Sequence, residues 1–149
     1  MTLLGRLLHG AVPPPPPDDL IHWDEAYSVG NALLDNEHRD IVAVLNDLYR
    51  GRGTDGRPLD PEHTLARLRD VAEVHFANEE AVLARHRCPR LDSHQSEHRV
   101  LWSELSTLAA AMPAMDADTR EQALASMLRK IVLGHILVTD MRDQDYLRE

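Results

Sequence analysis

Two pairs of residues with metal-binding side chains stand four positions apart in the sequence: His75 with Glu79, and His94 with His98. Four residues advance an α-helix by slightly more than one turn, so each pair presents both side chains on one face. Imidazole nitrogens and carboxylate oxygens placed in this way can share one metal ion or reach two adjacent ions. One such pair would be weak evidence, but two pairs within apolar stripes predict a metal site.

Four segments with apolar residues at three- and four-residue intervals surround these pairs, which indicates amphipathic helices. The first ends at the breakers Gly51 and Gly53, and the second follows Pro61, a favoured first-turn residue. The connections are short, so neighbouring helices should be antiparallel, and we predict an all-α, up-down-up-down four-helix bundle. The predicted helices run from Leu34 to Leu48, from Pro61 to His86, from just after Pro89 to Met112, and from about Asp118 to Val138.

Six polar residues interrupt these apolar stripes at positions that should point toward the bundle axis. A buried carboxylate or imidazole costs several kcal/mol unless it is paired, hydrogen-bonded or bound to a cation. A single histidine of this kind is more often a hydrogen-bonded core residue than a ligand. Six on four converging helices need a common partner, and a metal centre supplies one. They are His38, His75, Glu79, His94, His98 and His135.

Asp140 is a further candidate ligand whose position is less favourable. It follows His135 by five residues, which on a continuous α-helix would turn it away from the His135 face. It could still reach the centre if the helix ends or loosens near residues 138–139. The alternative is that Asp140 joins Asp143 and Asp145 in a solvated acidic tail. Helix spacing alone does not separate these two interpretations.

The types of these side chains narrow the choice of metal. Five imidazoles and two carboxylates without a thiolate exclude an iron–sulfur cluster and disfavour a structural zinc site. Calcium would need more oxygen ligands. Seven ligands exceed what one first-row ion takes, so two ions bridged by carboxylates fit better, with iron preferred and manganese or mixed occupancy as alternatives. The ferritin-like di-iron class uses Glu-x-x-His pairs, and no histidine in this sequence follows a glutamate by three residues.

The composition of the 149-residue chain sets limits on its partners and location. A formal net charge of −9 gives no electrostatic reason to bind nucleic acid or anionic lipid, so neither is expected as a partner. No apolar run approaches the roughly 20 residues that a membrane-spanning helix needs. The single cysteine, Cys88, has no partner for an internal disulfide. This favours a reducing compartment, and we expect a cytoplasmic location.

Residues 1–20 differ in composition from the rest of the chain. Five consecutive prolines, 13–17, predict an extended polyproline II spacer rather than part of a core. A secretory signal is the alternative, but Arg6 interrupts its apolar run and no clear cleavage site follows. We therefore predict a flexible, Pro-rich tail over residues 1–20, with an unidentified protein partner, and a four-helix bundle with an N-terminal arm over residues 21–149.

Four sequence motifs, in order, resemble those of the bacterial hemerythrins. Residues 23–39 read WDEAYSVGNALLDNEHR, similar to the opening W…Y-S-V-G…D-x-x-H segment of that family. Residues 75–80 read HFANEE, resembling H-F-x-x-E-E. Residues 94–98 read HQSEH and residues 135–140 read HILVTD, which match H-x-x-x-H and H-I-x-x-T-D. The resemblance covers nearly all of residues 22–140, and four ordered motifs are far more specific than one.

The resemblance implies two iron ions joined by an oxo or hydroxo group. One iron would take three histidines, the other two histidines, and two carboxylates would bridge both. In that order the ligands are His94, His98 and His135; His38 and His75; and Glu79 and Asp140. The two-histidine iron would keep one open position, which is where the family binds dioxygen. The implied function is therefore reversible dioxygen binding, as a carrier, store or local supply.

The sequence departs from the family at Ile131 and Val132, where a Trp-Leu pair is usual. These residues precede His135 by one helical turn, so we predict that they line the oxygen pocket. The change is either a neutral difference in packing or a looser pocket that admits water and peroxide. The second reading motivates an enzymatic alternative, a di-iron enzyme that reduces peroxide or nitric oxide. The tail motivates another, an oxygen-sensing module. No residue is assigned as a catalytic acid, base or nucleophile, and we expect a binding protein rather than an enzyme.

Overall fold

The computed structural model describes residues 19–149, and this part of the chain is helical, with a single isolated bridge between Arg52 and Pro58. It confirms the predicted all-α four-helix bundle. Most of the predicted tail at residues 1–20 lies outside the described residues, so the tail stays a prediction. The helices are α1 (Ala32–Arg50), α2 (Pro61–Arg85), α3 (Leu91–Ala111), α4 (Ala117–Leu128), a π-helical segment (Arg129–Asp140) that continues α4, and α5 (Gln144–Leu147).

The helix ends follow from local side-chain chemistry. Asn31, Asp60 and Asp116 cap the N-termini of α1, α2 and α4, each accepting a hydrogen bond from a backbone N–H of the first turn. α1 ends at Gly51, whose φ of 66° is a left-handed conformation that glycine adopts without strain. These stop and start signals explain why the helix boundaries lie within a few residues of those predicted.

The last helix of the bundle changes its hydrogen-bonding pattern along its length. From Arg129 to Asp140 it is π-helical, so each turn is wider and the angle between residues five apart is smaller than in an α-helix. This brings His135 and Asp140 onto the same face, which an α-helix would not do. We expected loosening only near residues 138–139, whereas it begins at Arg129. Within the segment the Thr139 hydroxyl donates to the Gly134 carbonyl oxygen at 3.3 Å.

Two apolar clusters fill the bundle on either side of the predicted ligands. The principal cluster contains Leu45, Leu68, Leu105 and Ile131, with many neighbours. Along the ligand-bearing helices, His38, Glu79, His94, His98 and Asp140 lie in sequence between this cluster and a smaller second cluster, whereas His75 and His135 lie at the edge of the principal cluster. The polar residues therefore occupy a layer that is closed by apolar side chains above and below. The second cluster consists of Val29, Leu34, Val82, Leu83, Cys88 and Leu147.

An N-terminal arm precedes α1 and is fixed to it at two places. The backbone N–H groups of Leu20 and Ile21 both donate to the Asn46 side-chain oxygen, at 2.9 and 3.1 Å. Farther along, the Asp35 carboxylate accepts from the Val29 N–H at 2.8 Å and from the Ser28 hydroxyl at 2.6 Å. The arm is therefore held across α1. None of the helices within residues 19–149 is long and apolar enough to cross a membrane.

Candidate metal centre

The structure brings all seven predicted ligand side chains together in one buried layer. α1 contributes one of them, and α2, α3 and the π-helical segment contribute two each. Each of the seven is at most 3% exposed to solvent. The acidic-tail interpretation of Asp140 is therefore wrong, because the carboxylate lies in the core. The residues are His38, His75, Glu79, His94, His98, His135 and Asp140.

Three histidines surround one oxygen of Glu79. Its Oε2 atom lies 3.0 Å from Nε2 of His94, 3.0 Å from Nε2 of His98 and 3.7 Å from Nε2 of His135. The Nε2 atoms of His98 and His135 are 2.9 Å apart. Three imidazole nitrogens and one carboxylate oxygen thus face a common point, an arrangement that suits a single cation.

The other two histidines form a second group beside the first. The Nε2 atoms of His38 and His75 are 3.0 Å apart, and Glu79 Oε2 lies 3.6 Å from His75 Nε2. Asp140 Oδ2 lies 3.2 Å from His38 Nε2, while its Oδ1 lies 3.0 Å from His135 Nε2. Each carboxylate therefore faces both histidine groups, and Asp140 turns one oxygen toward each.

Four of the five histidines also contact a carboxylate outside the cluster. Their Nδ1 atoms lie 2.8 to 3.4 Å from the nearest oxygen of that carboxylate. Such partners fix the orientation of a metal-binding imidazole and leave its Nε2 free to coordinate. The pairs are His75 with Glu37, His94 with Asp143, His98 with Glu80, and His135 with Glu97.

Sequence reasoning missed these outer carboxylates. Three of them are sequence neighbours of predicted ligands, because Glu37 precedes His38, Glu97 precedes His98 and Glu80 follows Glu79. That adjacency was the available signal. The fourth, Asp143, was grouped with a solvated tail, but it is fully buried. The guanidinium groups of Arg90 and Arg142 donate to its carboxylate, in addition to its contact with His94.

The contacts between imidazoles test whether the residues fit a cation. Because Nδ1 of His75 and of His98 donates to a carboxylate, the Nε2 atoms of these two rings carry lone pairs whenever the rings are neutral. Those Nε2 atoms lie within 3.0 Å of Nε2 of His38 and of His135. Lone pairs so close repel each other unless a proton or a metal ion lies between them. The geometry therefore fits a cation in each histidine group.

The two central carboxylates are only partly satisfied by hydrogen bonds. Glu79 Oε1 and both oxygens of Asp140 are buried and have no hydrogen-bond partner among the described residues. An unsatisfied buried carboxylate oxygen is costly. Burial by itself raises the pKa of Glu79, but the charge of His75 and the contacts with His94, His98 and His135 lower the pKa well below its usual range. Both carboxylates stay ionised and available to cations.

The histidines respond to the same negative charge. Burial alone lowers the pKa of His94, but the neighbouring carboxylates of Asp140 and Glu79 outweigh burial and raise this pKa to about 11. The same opposition, with Asp140 contributing most, raises the pKa of His135 to about 10. In the metal-free protein the cluster therefore binds protons where a metal-loaded site would bind ions, and metal uptake should release protons.

Aromatic and aliphatic side chains complete the surroundings of the cluster. The Phe76 ring stacks on His98 with a centroid distance of 4.0 Å and an interplanar angle of 16°. Ile131 and Val132 are buried in the principal apolar cluster. Their assignment to an oxygen pocket stays a prediction. His22 and His63 are exposed and lie outside the cluster.

Comparisons with known proteins agree with this geometry. Residues 29–146 match the family model described as the hemerythrin HHE cation binding domain. The chain is 28% identical to a myohemerythrin of Theromyzon tessulatum over 120 residues, covering 80% of this chain and 88% of the relative. It is 23% identical to a bacteriohemerythrin of Clostridium acetobutylicum over 128 residues, covering 84% and 97%. A bacteriohemerythrin of Stenotrophomonas maltophilia is 24% identical over 129 residues, covering 87% and 82%.

The raised histidine pKa values predict how the stability of the metal-free protein depends on pH. Folded His94 and His135 keep their protons up to about pH 11 and 10, whereas unfolded histidine loses its proton near pH 6.5. Their contribution is fully present below pH 6.5 and is lost as the pH rises through the folded values. We expect the free energy of unfolding to fall by about 1.4 kcal/mol per pH unit for each retained proton between these limits.

Urea unfolding of the chelator-treated protein at several pH values would measure this decline. The metal-loaded protein is the control, because bound ions replace the two protons and should remove this part of the slope. Equal slopes with and without metal would contradict the assignment of the protons to the cluster.

The contact between Asp143 and His94 predicts a second effect. The Asp143→Asn substitution removes the charge that orients His94, and we expect metal affinity to fall about 10- to 100-fold. Competition with a chelator of known affinity would measure the change. Asp145→Asn is the matched control, since Asp145 is exposed and only two residues away. Equal affinities for the two variants would show that Asp143 does not support the site.

Proposed function

The chain belongs to the hemerythrin HHE cation-binding family, and on this premise we propose that it binds dioxygen reversibly at a non-haem di-iron centre. The observation that carries the proposal is the unequal division of five histidines around two shared carboxylates. Such a division gives two ions different numbers of protein ligands. An ion with fewer ligands keeps a position for a small molecule, which a closed structural site does not.

In this proposal each residue of the cluster has a defined place. Three histidines would hold one iron and two would hold the other, and the two carboxylates would be shared between them. When bound, the iron ions supply the reversible binding of dioxygen at the open position on the two-histidine side. The residues are His94, His98 and His135; His38 and His75; and Glu79 and Asp140.

The residues around the cluster orient the imidazole ligands and exclude water from the metal layer. The outer carboxylates hydrogen-bond to Nδ1 of three imidazoles and so direct their Nε2 inward, while Glu97 lies 3.4 Å from Nδ1 of the fourth, His135. The apolar clusters on both sides and the stacked Phe76 ring keep the layer dry. A dry pocket slows irreversible oxidation of the centre, which a carrier, store or local supplier of oxygen requires. The buried ionisable side chains of the layer are all used as ligands, so none is left over as a catalytic acid or base.

A second candidate function, the reduction of peroxide or nitric oxide, has one structural observation in its favour. A cleft of about 420 Å³ lies between α3 and the π-helical segment, and its lining includes Glu97, Lys130, Gly134 and His135. Small molecules could approach the three-histidine side from this cleft. The oxygen-sensing alternative depends on the tail at residues 1–20, mostly outside the described residues, and stays a prediction.

The leading proposal predicts the metal content and the optical behaviour of the purified protein. Anaerobically reduced protein should contain two irons per chain and gain a charge-transfer band on exposure to oxygen. Removal of oxygen should abolish this band. Iron quantification combined with an anaerobic-to-aerobic optical titration would test both. Fewer than two irons per chain, or tightly bound zinc, would refute the proposal, and rapid turnover of peroxide with an electron donor would favour the enzyme.

The predicted pocket lining can be tested separately. Replacing Ile131 by Trp together with Val132 by Leu should fill the space near the centre and slow autoxidation, because water enters less readily. Stopped-flow oxidation of the reduced protein would measure the rate. Val138→Leu serves as the control, since Val138 lies in the same segment but is 60% exposed. If the double variant oxidises as fast as the control, these residues do not line the pocket.

A further inference from the structure

His38 differs from the other four histidines of the cluster in what lies behind it. The Nδ1 atoms of His38 and His135 are both buried without a hydrogen-bond partner among residues 19–149, but Nδ1 of His135 still lies 3.4 Å from the Glu97 carboxylate. His38 is therefore the one histidine of the cluster for which the described residues show no outer carboxylate. Beside His75 and Asp140, which belong to the cluster, the His38 ring has an indole as a neighbour. The ring centroid of Trp23 lies 6.1 Å from that of His38, with an angle of 32° between the planes. The two-histidine side is therefore bordered by the N-terminal arm.

Trp23 is held in place by two charged residues that also bind each other. Its indole N–H donates to Glu25 Oε1 at 3.1 Å, and the Arg39 guanidinium donates to the same oxygen at 2.8 Å. The Arg39 guanidinium carbon also lies 4.8 Å from the centre of the Trp23 ring, a cation–π contact. We name these three residues the latch. The Glu25 side chain is 78% exposed and that of Arg39 37%, so the latch is weak and is screened by salt.

The arm is anchored firmly only outside the latch. Asn46 binds the backbone of Ile21 on one side, and Asp35 binds Val29 on the other. Between these anchors, the Tyr27 ring is buried and packs edge-on against Trp23, with a centroid distance of 5.7 Å. The weakly held part of the arm is therefore the segment between Ile21 and Tyr27, which we call the strap, and it can open locally while the bundle stays folded.

We propose that Trp23 is a gate over the two-histidine position and that the latch sets how often the gate opens. Closed, the indole lies beside His38 and hinders hydrated anions and bulk water, while a small uncharged diatomic molecule needs less displacement to pass. Open, the strap admits charged ligands to the ion. This inference rests on the proposed function, because it needs an ion beside His38. It makes Trp23 a residue that determines ligand specificity.

Fluorescence tests the latch without any metal. The chain has two tryptophans, so Trp102→Phe leaves Trp23 as the only emitter. In that background, Glu25→Gln and Arg39→Gln should each increase quenching of Trp23 by acrylamide, an uncharged quencher that does not respond to protein charge. Asp40→Asn is the matched control, because it is exposed and adjacent to Arg39 but outside the latch. Quenching that is equal in all four proteins overturns the latch.

Ligand entry tests the gate in the iron-loaded protein. Azide, a small anion that binds open positions on ferric ions, should associate about tenfold faster with the Arg39→Gln variant, the factor that corresponds to loss of about 1.4 kcal/mol of latch contacts. Trp23→Ala should be at least as fast, and Trp23→Phe, which keeps the packing, should lie between it and the wild type. Trp102→Ala is the control, because Trp102 also packs under an arginine, Arg69, but on the α2–α3 side.

The outcomes separate the gate from the function on which it rests. Two irons per chain with equal azide rates in the wild type and in all Trp23 and Arg39 variants overturn the gate alone. A rate increase in Trp102→Ala as large as in Trp23→Ala also overturns it, since the effect would then be general loosening. Fewer than two irons in the wild-type chain overturn the gate together with the proposed function.

Discussion

The burial of two carboxylates among five histidines is the constraint on which the rest of the structure depends. Glu79 and Asp140 are fully buried, and three of their four oxygens have no hydrogen-bond partner among the described residues. Such a group is stable in an apolar core only when positive charge compensates it. The raised pKa values of His94 and His135 are the response of the metal-free protein. Two metal ions would compensate the same charge with less repulsion between the imidazoles.

The π-helical segment is a consequence of that constraint. An α-helix would turn Asp140 away from His135, and the layer would then lose one of the two carboxylates that face both histidine groups. A wider helical turn places residues five apart on one face, so Asp140 reaches His38 and His135 together. π-helical segments are rare, and they are frequently found at functional sites. A functional site can retain such a segment because its side chains need the wider turn. The free-energy cost of the π-helical backbone is balanced by the interactions of the Asp140 side chain with His38 and His135.

Sequence reasoning reached the helices and the seven central residues for a definable reason. Buried polar residues at regular helical spacing conflict with the apolar pattern around them, and caps such as Asn31 and Asp60 mark the boundaries. The outer carboxylates produce no such conflict, because Glu37 and Glu80 lie at partly exposed edges where acidic residues are ordinary. The length of the π-helical segment also escaped prediction, since it depends on tertiary contacts and not on residue propensity. The latch also escaped prediction, because Glu25 and Arg39 are at least partly exposed residues of ordinary type and because their contacts with Trp23 depend on the tertiary structure.

The C-terminal residues meet the start of α1 beside the metal layer, and this links the site to the packing of the last helix. The Asn31 side chain donates to the Leu147 carbonyl oxygen, and the backbone N–H of Glu149 donates to the Gly30 carbonyl oxygen. Leu147 is fully buried in the second apolar cluster, only four residues after Asp143, which contacts His94. Docking of the C-terminal helix therefore positions a carboxylate that orients a proposed ligand. Because each event favours the other, metal binding should stabilise the docking of the C-terminal residues against the start of α1 as well as the layer itself.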